Sequence, residues 1–336
     1  MRCPTLAELP PPPAGRTGWP WTVESSRSVE TALRPLPRVT VVTPSFNQGQ
    51  FIEETLRSVL LQGYPDIEYF VLDGGSNDNT VEVIQRYSPW LSFWVSERDR
   101  GQSAAINRGL RMGTGTYATW INSDDMLCQN ALAQHVLNRG LAEEQRDVVY
   151  IGDCLNIDVE GAVLFTHRGR VYSLEDLVRI PSVWRADGWI DQPAVLFPLE
   201  LALRAGGLNE SDHYTMDYEF WGKLLIAGAK IQYTGIPFGI FRLHERQKTQ
   251  HSLKQTESML NAAVDLVRSG DSFSPETKKE ILADLETYRK AYPEAVWKGS
   301  GRLARAGLPA SLVTQIRSLR RALEKELPRA FKVKGS

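Results

Sequence analysis

Long apolar runs are missing from this 336-residue chain, and no stretch is long and apolar enough to cross a bilayer as a helix. The opening Met1-Arg2-Cys3-Pro4 lacks the apolar core of a secretory signal. Cysteine is scarce. Cys3, Cys128 and Cys154 are odd in number and widely spaced, which argues against a disulfide framework and against a cysteine-built zinc site. A reducing cytoplasm is the expected location. Charge of either sign is not in excess: the net charge is −1, so the basic face that broad nucleic-acid binding needs is not implied. No recognisable Ser/His/Asp or Cys/His arrangement is present, so no covalent nucleophile is indicated. What is left, 42% hydrophobic and 24% charged residues, is the make-up of an ordinary globular protein able to bury a large core.

The chain divides into three stretches. Residues 1–37 hold Pro10-Pro11-Pro12-Pro13 and little apolar periodicity, which predicts an extended arm. Trp19 and Trp21 in that arm are expected to dock on the main body, since indoles left in water forgo apolar burial. From residue 38 to about 125, strand-like and helix-like segments alternate, the pattern of βαβ units and a mainly parallel sheet. From 126 to 250 the pattern loosens, with strands expected at Val148–Gly152 and Ala162–Phe165 and with Trp184 and Trp189 in loop-like sequence. Residues 251–336 read as a helical extension, with helices at Leu253–Arg268 and Glu276–Arg289. Further on, Leu312, Ile316, Leu319, Leu323 and Leu327 share one helical face, flanked by Arg317, Arg320, Arg321, Lys325, Arg329, Lys332 and Lys334. Such a face either packs on the body or on a second subunit, or lies on an anionic membrane surface.

Three strand-like runs end in small polar residues: Val39–Asn47, Val71–Asp78 and Tyr117–Asp125. The third ends in two adjacent carboxylates, Asp124 and Asp125. Two neighbouring anions repel and call for a cation, and Mg²⁺ or Mn²⁺ takes oxygen ligands. A solvated Asp-Asp turn would look the same in isolation. Asp73-Gly74-Gly75 would likewise serve as a plain turn, and Ser45 or Asn47 as a helix cap.

The order of these motifs over roughly residues 38–245 resembles the family-two glycosyltransferases with the A-type nucleotide-sugar fold. The resemblance implies an α/β fold, a nucleoside diphosphate sugar donor (a UDP-sugar above all) and Mg²⁺ or Mn²⁺ as cofactor. It implies further that Pro44, Ser45 and Asn47 line the base and ribose and that Asp73 accepts an N–H from a uracil or thymine ring. Asp73-Gly74-Gly75-Ser76 matches a turn often written Asp-Asp-Gly-Ser, with Gly74 in place of the second carboxylate. Arg100 and Gln102 fall in the segment before the metal-motif strand. Ser123 stands for the first carboxylate of the usual Asp-x-Asp, which leaves Asp125 as the direct metal ligand and Asp124 beside it. His244 is implied as a third ligand, although a histidine hydrogen-bonded in a loop would read alike. Gln192, Trp184 and Trp189 are placed toward the donor sugar or acceptor, with core packing as the alternative for the indoles.

On the acceptor side, Gly206-Gly207-Leu208-Asn209-Glu210 leads to Met216-Asp217-Tyr218-Glu219. Asp217 is the expected general base, with Glu219 the alternative, and a single displacement from the opposite face would invert the anomeric carbon. The acceptor would be a hydroxyl of a glycan or lipid-linked sugar, as in cell-surface polysaccharide synthesis. A sugar nucleotidyltransferase shares the strand–metal theme but usually carries a Lys after the first strand, where this chain has Thr43-Pro44-Ser45-Phe46-Asn47. A non-catalytic nucleotide-sugar-binding protein is the other alternative, disfavoured by the presence of both Asp125 and Asp217.

Overall fold

The computed structural model of the chain describes residues 3–26, 36–138, 146–244, 247, 252–269 and 271–302. Strand β1 (Val39–Ser45) is buried along its whole length, as a β-branched run covered on both faces must be. It pairs in parallel with β2 (Ile67–Asp73) on one side and β4 (Tyr117–Trp120) on the other, and β3 (Phe93–Ser96) adds in parallel to β2. Helices α1 (Ile52–Leu60), α2 (Thr80–Tyr87) and α3 (Gln102–Met112) make the crossovers. Beyond β4 the sheet is mixed. Its order continues through β8 (Val195–Pro198), β6 (Val148–Ile157) and β9 (Lys230–Arg242) to the two-residue β5 (Met126–Leu127), with β7 (Val163–His167) on β6. β8 runs antiparallel to β4 and β6, whereas β9 is parallel to β6. The parallel character expected from the alternation therefore belongs to the first half of the sheet.

Side chains alternate across β1 and β2 with the period of two that a strand imposes. Val41, Tyr69 and Val71 face one core with Leu56, Val59 and Ile84. Val42 and Leu72 face the other, with Ile106, Leu110, Trp120, Phe197 and Trp221. Trp120 stacks on Trp221 with ring centroids 5.4 Å apart, and Phe197 and Phe220 meet Trp120 edge-on. These contacts bind β4 to α7 (Met216–Ile226), which follows the shorter helices α4 (Ala131–Asn138), α5 (Leu174–Val178) and α6 (Leu199–Arg204) and bears the acceptor-side motif. Behind α7, α8 (Ser252–Ser269) contributes Met259, Leu260, Ala263 and Val267 to the same core, and α9 (Pro275–Arg302) contributes Ile281 and Leu285. Both helices extend over the ranges expected for the carboxyl-terminal extension. The Leu312–Leu327 stripe and its flanking cations lie outside the described residues.

The amino-terminal arm is docked. Its guanidinium anchor is Arg57, wholly buried on α1, which donates to the carbonyls of Pro10, Pro20 and Trp21 and to the Tyr87 hydroxyl. Trp21 packs beneath the Arg57 guanidinium, and Trp19 Nε1 donates to Leu127 O at 2.9 Å.

Candidate active site

The parallel pairing brings the carboxyl ends of β1, β2 and β4 to one edge, Ser45 lying opposite Asp73 and Val42 opposite Trp120. Ligands of open α/β sheets bind beyond such ends. A cavity of about 490 Å³ opens there, lined among others by Pro44, Ser45, Gly74, Asp99, Gln102 and the run Asn122–Asp125. Ser45 Oγ is buried without a hydrogen-bond partner among the described residues. A buried hydroxyl left unpaired is costly, and a polar ligand in this cavity would relieve it.

Asp125 sits at the floor, almost fully buried. Its carboxylate accepts from Arg242 N at 3.0 Å and from Asn122 Nδ2 at 3.1 Å, and its own carbonyl accepts from Thr55 Oγ1 at 2.7 Å. Burial, and next the charge of Asp124, push the Asp125 carboxyl well above the usual carboxylate range. A cation between the two would reverse that push. Asp124 pairs with His244, Oδ2 to Nε2 at 2.9 Å, and the His244 ring rests against Phe51. His244 thus meets Asp124 rather than Asp125. Arg242 ties this floor together: its guanidinium donates to Asp124 O at 3.1 Å and to buried Glu54 at 2.6 Å.

A chain of amides crosses the floor from Gln102 Nε2 to Asn122 Oδ1 at 2.7 Å, and from Asn122 Nδ2 to Gln192 Oε1 at 3.0 Å. Gln192 in turn donates to Trp120 O at 2.7 Å. Gln192 therefore supports the metal-motif loop from behind. Trp189 stacks on His167, which also pairs closely with Asp191, and Trp184 meets Tyr218 edge-on at 4.8 Å.

Three of the expected binding residues turn out to hold the protein to itself. Asp73 is 2% exposed, and its two oxygens accept from Gly75 N, Ser76 N, Ser76 Oγ and Ser96 Oγ. Three of these donors fall on Oδ2 and one on Oδ1, so Asp73 builds the turn that places Gly74 in the cavity wall. Asn47, at φ +52°, donates its N–H to Ser76 Oγ and accepts at Oδ1 from Asn77 N, stapling the β1 turn to the β2 turn. Arg100 points outward to Glu210 at 2.7 Å, and Arg98 lines the cavity in its stead.

Asp217 opens α7 and is half-buried. It is not among the cavity-lining residues; the start of α7 touches α3 next to the cavity-lining Gln102. Ser103 Oγ lies 2.8 Å from Met216 Sδ, one residue from each of Gln102 and Asp217. The loop before it is held by Asn107, whose amide accepts from Leu208 N and donates to Leu208 O, both at 2.9 Å, and reaches Glu210 at 3.1 Å. Asn107→Ala would leave two buried backbone groups unpaired. It is expected to cost about 2–4 kcal/mol in urea unfolding and to lower turnover by disturbing α7. Glu219 is committed elsewhere, to Lys223 Nζ and Asn209 Nδ2 at 2.9 Å each.

Sequence reading did not single out Phe46, Gln48, Arg98, Asp99, Asn122, Phe241 or Gln247, all of which line the cavity. Asn122, directly before Ser123-Asp124-Asp125, was within reach by adjacency. Nothing in the sequence pointed to Gln247.

The glycosyl transferase family 2 model matches residues 40–176, which contain every turn of this cavity from Ser45 to Asp125. An uncharacterised glycosyltransferase of Rickettsia typhi is 28% identical over 224 residues, 66% of this chain and 69% of its own. Among solved structures, S. aureus TarS 1–349 in complex with UDP-GlcNAc matches with a TM-score of 0.58 at 16% identity, over 78% of this chain and 76% of that one. Mannosyltransferase PcManGT from Pyrobaculum calidifontis, in complex with GDP-Man and Mn²⁺, matches with a TM-score of 0.55 at 20% identity, over 91% and 89%. Residues 40–176 are thus those of a family-2 glycosyltransferase, and the chain has the A-type fold of these enzymes. It is an enzyme of the glycosyltransferase class.

Proposed function

We propose that this enzyme moves a sugar from a nucleoside diphosphate sugar, a UDP-sugar in the first place, to a hydroxyl of a glycan or lipid-linked acceptor, with inversion at the anomeric carbon. The observation that carries the reading is the meeting of Ser45, Gly74, Asp124 and Asp125 in one cavity at the strand ends, lined also by Gln102 of α3, the helix that touches the start of α7. The nucleotide would lie along the β1 and β2 turns and its diphosphate over the Asp124–Asp125 loop. The titles of the TarS and PcManGT complexes name donors of this kind for those proteins.

The residues at the loop fit a divalent cation of the Mg²⁺ or Mn²⁺ type. Among the described residues no group of three or more His, Cys, Asp and Glu side chains forms a ready-made metal cage. Mg²⁺ is usually held by one or two carboxylates together with substrate phosphates, which is the set that Asp125 and Asp124 offer, with His244 behind Asp124. A bound cation would neutralise charge building on the departing diphosphate. Asp217 would take the proton of the acceptor hydroxyl as that oxygen attacks the anomeric carbon. Gln102, Asn122 and Gln192 would hold the floor in register, and no protein nucleophile is required.

A thermal-shift panel of nucleoside diphosphate sugars with and without Mn²⁺, followed by donor hydrolysis without acceptor, tests the reading. One donor should stabilise the protein and be slowly hydrolysed. Stabilisation without hydrolysis or transfer would favour a binding protein; no stabilisation by any donor would end the proposal. Surface-polysaccharide synthesis at the cytoplasmic membrane face is the setting we propose. The described residues contain no helix long and apolar enough to span a membrane, and the basic leucine-striped segment beyond residue 302 would supply packing on the catalytic domain, self-association or membrane contact.

A further inference from the structure

Behind the cavity floor, the end of β7 delivers a buried histidine. His167 is 4% exposed, and its ring stacks on Trp189 with 3.8 Å between centroids and 8° between planes. Two donors converge on Asp191, one on each carboxylate oxygen: His167 Nδ1 on Oδ2, and Trp189 Nε1 on Oδ1 at 3.1 Å. His167 Nε2 faces the Asp187 carbonyl at 3.4 Å. Burial opposes charge on this ring, but Asp191 and then Asp187 outweigh it and raise the His167 pKa above the ordinary histidine value. The other charged or titratable groups around the pair are Cys154, opposite His167 on β6, Tyr233 of β9, and Arg170, which meets Asp187 at 3.3 Å. Arg168 turns to Asp153 at 2.6 Å.

Asp191 directly precedes Gln192. The Gln192 amide donates to Trp120 O at 2.7 Å and accepts from Asn122 Nδ2 at 3.0 Å. Asn122 Nδ2 carries two hydrogens, and the second goes to Asp125 Oδ2 at 3.1 Å. We infer that His167 is a positioning residue for sugar transfer: it clamps Asp191, and through Gln192 and Asn122 it holds Asp125 in the orientation that takes up a divalent cation. This rests on the nucleotide-sugar and metal reading above. His167 does not line the cavity itself, so it acts only through the residues it orders. Partners behind a metal ligand commonly tune affinity in this way, by fixing the direction of the ligand.

The test uses the full chain and reads Mn²⁺ affinity by calorimetry in the presence of UDP, or of GDP where UDP does not bind, beside kcat and donor KM. His167→Leu should weaken Mn²⁺ binding and lower kcat by roughly 10-fold each, with nucleotide affinity in chelator unchanged. Asp191→Leu should do the same, and the double variant should lose no more than the worse single, since the pair acts as a unit. His167→Asn keeps a donor for Asp191 without the charge. A cation with a raised pKa contributes fully below its ordinary value, and the contribution is lost as pH rises through the raised one. Wild type should therefore exceed His167→Asn in Mn²⁺ affinity most clearly below about pH 6.5, and the gap should close as pH rises. Should His167→Leu fail to fold, this pH comparison decides alone, and a gap that is absent or constant with pH counts against the inference. Folded variants that lose only stability in urea, or that lose nucleotide affinity in chelator as much as Mn²⁺ affinity, overturn it while leaving the nucleotide reading intact. Wild type that binds nucleotide but no Mn²⁺ removes the cation and this inference together, and wild type that binds neither nucleotide overturns the underlying reading as well.

Discussion

Replacing Asp217 with Asn is expected to lower turnover by roughly 10²–10⁴-fold while nucleotide-sugar affinity stays nearly unchanged. The substitution keeps shape and removes basicity. A loss confined to kcat in that variant, with donor binding intact by titration, is the signature of a missing proton acceptor. Glu219→Gln serves as the internal comparison. Its carboxylate is already held by Lys223 and Asn209 at 2.9 Å each, so its loss should show mainly in stability and far less in turnover. Near-normal turnover in Asp217→Asn would shift the base to Glu219 and require those two contacts to open when acceptor binds.

Chelation should abolish transfer, with Mn²⁺ or Mg²⁺ restoring it, and Asp125→Ala should abolish it beyond rescue. Asp125 accepts from Arg242 N and Asn122 Nδ2 while its carboxyl is pushed up by burial and by Asp124. The floor is therefore built around a charge that is unfavourable until a cation arrives. Asp124→Ala should weaken transfer less, since it leaves Asp125 in place and frees His244. Metal affinity, read by Mn²⁺ titration in the presence of nucleotide, should drop in both variants. Full turnover in excess chelator would remove the cation from the mechanism, and Asp125 would then be a purely structural carboxylate.

Much of the catalytic half was legible because it is written locally. A β-branched run such as Val39–Thr43 forms a strand, and its freedom from charged residues marks it as covered on both faces. The strand-to-turn transitions at Ser45, Gly74 and Ser123-Asp124-Asp125 mark strand ends, which in a parallel block share one edge. The docking of Trp21 followed from its apolar area, although its buried partner Arg57 reads in sequence as an ordinary helical cation.

The sequence by itself determined the alternation of strands and helices in the parallel half and the edge of the sheet where the chemistry gathers, since these follow from periodicity and from residues a few positions apart. Its motifs carried the resemblance to the family. Only the tertiary structure decided which polar side chains face the cavity. Asp73 is turned inward by hydrogen bonds to Ser76 and Ser96, Asn47 is tied at the surface to Ser76 and Asn77, and Asp99 stands beside Gly74, 25 positions earlier in the chain. Likewise His244 meets Asp124 across 120 positions. A side chain's direction is set by its partners through space, and no spacing along the chain encodes who those partners are.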